Sequence, residues 1–202
     1  MPTSGFIKPL RRLSTELAWL ESEFMRAAPD KHRHTQLTCE MAVVRLHDAW
    51  ARFCRELIIR SARGRTVTLT GTRLHPSHSA IVKRSSVIPL LISMYPRRRR
   101  FEPRWADATE CIEAGTRLAI GNLSTVAGAL GAVNSPANDI RRVRNYYAHR
   151  SQRTAHDALS TRFFSSGAHP EVFDLANYTS GSTTVLESWT AGLILIATAA
   201  AQ

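Results

Sequence analysis

The stretch "NSPANDIRRVRNYYAHR", residues 134–150, decides how the rest of the chain is read. Ser135 is a good helix cap, and Pro136 suits the first helical position because its missing N–H would be unbonded there in any case. Asp139 adds a negative charge in the first turn, where the helix dipole favours it. A helix through Arg150 follows. On it Asn145 and His149, four residues apart, share a face, and Arg144 sits next to Asn145. A second Arg-to-His pair with the same spacing, Arg73 to His78, encloses Pro76 in an irregular segment and has no fixed geometry. In a chain with 27 lysines and arginines and 8 histidines, that pair is a chance coincidence.

Upstream, the helical pattern continues. Leu10, Leu13, Leu17, Leu20 and Phe24 recur at steps of three and four and predict an amphipathic helix from Pro9 to Ala28. A second helix is expected from about Thr35 to Ser61, with Leu37, Met41, Val44, Trp50, Phe53 and Leu57 on its apolar face; "PDKHRH" would close the pair as a hairpin. "GRTVTLTGTRL", residues 64–74, alternates in the manner of a short hairpin, and prolines at 76, 89, 96 and 103 forbid a long helix after it. Helical periodicity resumes at Pro103 through Trp105, Ala108, Ile112 and Leu118, and runs on toward "NLSTVAGALGAV". Beyond His156, "SSGAHP" and "TSGS" read as loops. A last apolar helix is expected from about Thr184 to Ala200.

The expected architecture is all-α: one domain over residues 1–202, a bundle of up-down helices, with a partly irregular or short β insertion at 62–104. That insertion holds ten lysines and arginines against Glu102 alone, so it carries most of the formal charge of +11. Its run Arg97, Arg98, Arg99 and Arg100 is an expected landing site for a phosphate backbone, together with Arg141, Arg142 and Arg150 of the motif helix. RNA is therefore the first partner to consider. The most apolar stretch, from Trp189, is too short to span a bilayer, and a soluble cytoplasmic protein with no membrane contact is the expectation. Cys39, Cys54 and Cys111 fit no zinc pattern and read as reduced core residues. His32, His34, His75 and His78 lack a carboxylate or cysteine to complete a metal shell, so neither metal nor cofactor is expected.

Arginine, asparagine and histidine gathered on one helix suit phosphodiester cleavage. Histidine moves a proton near neutral pH, arginine clamps a phosphate and stabilises charge in the transition state, and asparagine orients either. On RNA the substrate brings its own nucleophile, the ribose 2′-hydroxyl.

These residues carry a resemblance. "IRRVRNYYAHR" resembles the signature of the HEPN superfamily (higher eukaryotes and prokaryotes nucleotide-binding), and "RLHDAWARFCRELI", residues 45–58, is similar to an early helix of its bacterial members. The likeness covers the helical parts and leaves the basic insertion outside. It implies a helical bundle that homodimerises with two motif helices face to face, and a metal-independent endoribonuclease of the toxin or defence type. By position, Arg144, Asn145 and His149 would form the active group. In members paired with a nucleotidyltransferase antitoxin a tyrosine follows two residues after the histidine; here Ser151 stands there, so any antitoxin or other regulatory protein would act differently.

The competing expectation is a non-catalytic protein of the same fold that binds nucleic acid or a partner, since fold alone does not fix activity. Tyr146 and Tyr147 are more simply packing groups than base-stacking platforms, and Trp19, Trp50, Phe53 and Trp105 are expected in the core.

Overall fold

The structure is a computed structural model that describes residues 5–29, 32–81, 83–95, 101–133, 135–161, 163–164, 170–171, 174–175, 178–180 and 182–202; Arg97 to Arg100 lie outside the described residues. Among the described residues it is all-α apart from two minimal hairpins. In order, the elements are α1 (Ile7–Ala27), α2 (Arg33–Arg63), β1 (Thr66–Val67), β2 (Arg73–Leu74), a 3-10 turn (Arg84–Ser86) and α3 (Val87–Ser93). There follow α4 (Ala108–Arg117), α5 (Leu123–Leu130), α6 (Ala137–His149), α7 (Gln152–Leu159), β3 (Thr179–Ser180), β4 (Thr183–Thr184) and α8 (Val185–Ala200). These form two compact units: residues 1–13, 50–135 and 194–202, and residues 14–49 and 136–193.

In the first unit the second half of α2 buries Trp50, Phe53, Cys54, Leu57 and Ile58. The expected hairpin pairs Thr66 with Leu74 and Val67 with Arg73. Gly64 starts it at φ 62°, and a Cβ there would lie 2.2 Å from the backbone of His75 and Pro76, so only glycine fits. The hairpin is fastened to the chain end by Leu69 N–H to the Ala201 carbonyl (2.9 Å) and by the Thr70 hydroxyl to the Gln202 carbonyl (2.9 Å).

The helix expected from Pro103 begins five residues later. Asp107 caps it, accepting from the backbone N–H groups of Thr109 (3.0 Å) and Glu110 (3.3 Å). It also does not run on: Ala119 turns left-handed at φ 49°, and α5 starts afresh at Leu123. Glu102 binds the guanidinium of Arg55 at 2.7 and 3.0 Å and accepts the indole N–H of Trp105 at 2.8 Å, which pins the chain end before α4 onto α2.

In the second unit, Leu17, Leu20 and Phe24 of α1 are buried as the periodicity predicts. The first half of α2 differs. Its buried stripe is Cys39, Ala42, Val43, Leu46 and Ala49, whereas Leu37 and Met41 are more than half exposed. Positions 39, 43, 46, 50 and 53 keep an unbroken three-four spacing into the rest of α2, and 37 and 41 fall on a neighbouring stripe. Trp19, expected in the core, is 47% exposed; with Leu37, Met41 and Arg45 it lines a cleft of about 310 Å³, and Arg45 lies 5.0 Å over its ring.

The motif helix starts one residue later than expected: Pro136, not Ser135, is its N-cap, with no side-chain cap bond; Pro136 is already helical at φ −66°, and its carbonyl accepts from Ile140 N–H. It stops at Arg150, which is left-handed at φ 50°. Ser151 then caps α7, exchanging bonds with Thr154 in a capping box. In "TSGS", expected as a loop, Thr179 and Ser180 form β3 and pair with Thr184 and Thr183 of β4. Trp189 of α8 is buried and meets Phe163 edge-on at 5.4 Å. All three cysteines are free and buried.

Arg55 holds the Glu102 carboxyl below its usual value of 4.5. A group depressed on folding contributes stability that is present above its unfolded pKa and lost as pH falls through the folded one. Glu102→Gln should therefore melt below wild type at neutral pH, and the gap should close as pH falls through the carboxylate range. Thermal unfolding at a series of pH values checks this, and a gap that persists in acid contradicts it.

Candidate functional site

The candidate site is built on α6, and α2 positions it. Arg150 at the end of α6 pairs with Glu40 of α2, and its guanidinium lies 5.1 and 5.5 Å over the rings of Tyr146 and Tyr147. Both tyrosines are 7% exposed. Burial also pushes the Tyr147 hydroxyl far above its usual range, so it holds its proton at neutral pH. The tyrosines are packing groups, as expected.

Two turns along α2 from Glu40 stands His47; two turns back along α6 from Arg150 lies the stretch that holds Arg141 and Arg144. The two helices therefore run antiparallel, and a second polar cluster forms at their far contact. His47 is 16% exposed, with Nδ1 at 3.3 Å from the Asp48 carboxylate. Burial lowers its pKa from the ordinary 6.5, the hydrogen bond to Asp48 opposes that, and the charges of Arg144 and Arg141 lower it further.

Of the expected group, Arg144 and Asn145 are half-buried and joined, with Arg144 Nη1 donating to Asn145 Oδ1 at 3.3 Å. Arg144 Nε is buried and has no hydrogen-bond partner among the described residues. An unmatched buried donor is uncommon in folded proteins and costs on the order of 1–3 kcal/mol. His149 is exposed at the last position of α6, with no hydrogen bond or ion pair among the described residues. Five residues on a helix turn it roughly 140° away from Arg144, so one chain does not stack the two side chains. Asn145, only about 40° from His149, bridges the two directions.

No family model, curated protein or solved structure matches the chain.

The expected RNA-binding arginines have different surroundings. Arg142 is exposed and donates to the Ser160 hydroxyl at 3.0 Å; Arg141 is half-buried beside His47; Arg150 is committed to Glu40. Between α2 and the insertion, Arg55, Ile59, Lys83, Arg84, Ser85 and Ile88 line a cavity of about 490 Å³. Arg55 and Arg84 pair with Glu102 and Glu56, while the Lys83 ammonium has no ion pair among the described residues. No group of three or more His, Cys, Asp or Glu among the described residues could hold a metal ion. No described helix is long and apolar enough to cross a membrane.

His47 and Asp48 were missed by sequence reasoning. They lie in the quoted segment "RLHDAWARFCRELI", yet nothing in their spacing points to α6; only the pairing of Glu40 with Arg150 sets that register.

Because Arg144 helps hold His47 below its ordinary value, Arg144→Gln should raise the midpoint of the His47 imidazole. An NMR pH titration reads this directly, and an unmoved midpoint contradicts the described electrostatics. The sign for stability follows from the same shift. A histidine depressed on folding contributes stability above its unfolded pKa of 6.5, lost as pH falls through its lowered folded value.

Proposed function

We propose that the protein is a metal-independent endoribonuclease that cleaves RNA by attack of the ribose 2′-hydroxyl on the adjacent phosphate. The observation that carries this reading is the polar group on the last two turns of α6. It presents Arg144 with a buried unmatched donor, Asn145 bonded to it, and an uncommitted His149 one turn beyond. Arg144 clamps the scissile phosphate, Asn145 orients the guanidinium, and His149 transfers protons. The Arg-Asn-Tyr-Tyr-Ala-His sequence adds its resemblance to the HEPN ribonucleases.

The wheel of α6 also favours a homodimer. Since Arg144 and His149 point to different sides of one helix, two α6 helices laid face to face would offer the arginine of one chain to the histidine of the other. The resemblance supplies the same arrangement, along with a toxin or defence role and control by a separate regulatory protein. Ser151 already has a structural task as the cap of α7, which fits a mode of control that does not act on that position.

A second reading, binding of nucleic acid or of an acidic partner without cleavage, draws on the insertion and its cavity with the unpaired Lys83. The two separate on one assay. Under the first, wild type cuts tRNA or total RNA in EDTA, His149→Ala lowers the rate by roughly 10²–10⁴-fold, and Arg144→Ala lowers it by roughly 10²–10³-fold, with both variants folded. RNA left intact by folded wild type, together with binding that falls steeply with salt, favours the second.

A further inference from the structure

The transphosphorylation just proposed needs two proton transfers: one from the 2′-hydroxyl as it attacks, one to the 5′-oxygen as it leaves. A single exposed histidine serves one of them. The α2–α6 contact supplies a second imidazole. His47 lies within reach of the charges of Arg144 and Arg141, two turns along α2 from the Glu40–Arg150 pair, and is largely sheltered from solvent. Its Nδ1 faces a carboxylate oxygen of Asp48 at 3.3 Å, so the tautomer with the proton on Nδ1 donates there and leaves a lone pair on Nε2. A carboxylate that fixes a histidine in its basic tautomer is a recurring device of proton-abstracting sites. The charged groups around it are Asp48 on its own helix and Arg141 and Arg144 from α6.

Resting on the ribonuclease reading, we propose that His47 is a further catalytic residue: its Nε2 takes the proton of the ribose 2′-hydroxyl while Arg144 of the same chain holds the phosphate and His149 of the second copy, as the imidazolium, protonates the leaving oxygen. In this step the 2′-oxygen forms a bond to phosphorus and the bond from phosphorus to the 5′-oxygen breaks. One proton moves to His47 and one leaves His149, so the products are a 2′,3′-cyclic phosphate and a 5′-hydroxyl. Exchange with solvent restores both rings. The division of labour matches their surroundings. Burial and the two arginines favour the neutral ring of His47, as a base requires, while His149 lies exposed at the last position of α6, where it can reach a leaving group.

The test is the pH dependence of kcat/KM on a short RNA oligonucleotide in EDTA, for wild type, His47→Gln, His47→Ala and His149→Ala. Glutamine keeps much of the size and hydrogen-bonding capacity of the imidazole; unchanged circular dichroism and thermal unfolding establish that His47→Gln is folded. The expected result is a bell-shaped wild-type profile. His47→Gln should lose roughly 10²–10⁴-fold at the optimum and, with it, the fall in rate on the acid side, leaving the alkaline limb intact. His149→Ala should instead lose the alkaline limb. Wild-type cleavage that folded His47→Gln reproduces, acid limb included, overturns the role of His47 and leaves the ribonuclease reading standing. No cleavage by folded wild type overturns that reading and this assignment with it.

Discussion

The ion pair between Glu40 and Arg150 is the contact on which the candidate site depends. A helix that ends in a left-handed residue has no backbone reason to present its last turn to a particular neighbour. Here the guanidinium of that residue reaches back over two buried tyrosine rings to a carboxylate on α2, so the end of α6 is fixed in rotation and in register at once. The pair is partly open to water, with Arg150 47% exposed, and its own contribution to stability is small. Its value is geometric. Because both helices repeat every 3.6 residues, fixing one contact also sets the register two turns away, where the charges of Arg141 and Arg144 act on His47.

The same contact accounts for the uneven use of arginine along α6. Arg150 is structural, Arg141 and Arg144 line the polar cluster, and Arg142 faces outward to Ser160. Four residues of one type within ten positions thus do different work. The cations at the insertion's cavity are distributed in a similar way: Arg55 and Arg84 are matched by Glu102 and Glu56, and Lys83 has no ion pair among the described residues. Formal charge alone overstates how much of such a chain is available to a phosphate backbone.

Much of the helical plan was legible from apolar spacing. The α1 stripe, the start of α6 just after Pro136 and the hairpin at Thr66 to Leu74 follow local rules, since periodicity, proline and glycine act within a few residues. Where the reading failed, a non-local choice decided. In α2 two apolar stripes compete; Cys39, Val43 and Leu46 are buried because they continue the stripe of Phe53 and Leu57, and Leu37 and Met41 are left outside beside Trp19. The break at Ala119 has no proline or glycine at the break itself to announce it, and the cap at Asp107 displaced the start expected at Pro103. The site was legible only in its α6 half. Arg144, Asn145 and His149 share one short motif, whereas His47 joins them through a pairing of residues more than a hundred positions apart.

Attack by the substrate's own hydroxyl at α6 is tested most directly by the ends of the RNA fragments. RNA cut by the purified protein in EDTA should carry 2′,3′-cyclic phosphates and 5′-hydroxyls, established by mass spectrometry of the products. Fragments with 3′-hydroxyls and 5′-phosphates would show attack by water in place of the 2′-hydroxyl and would contradict the account.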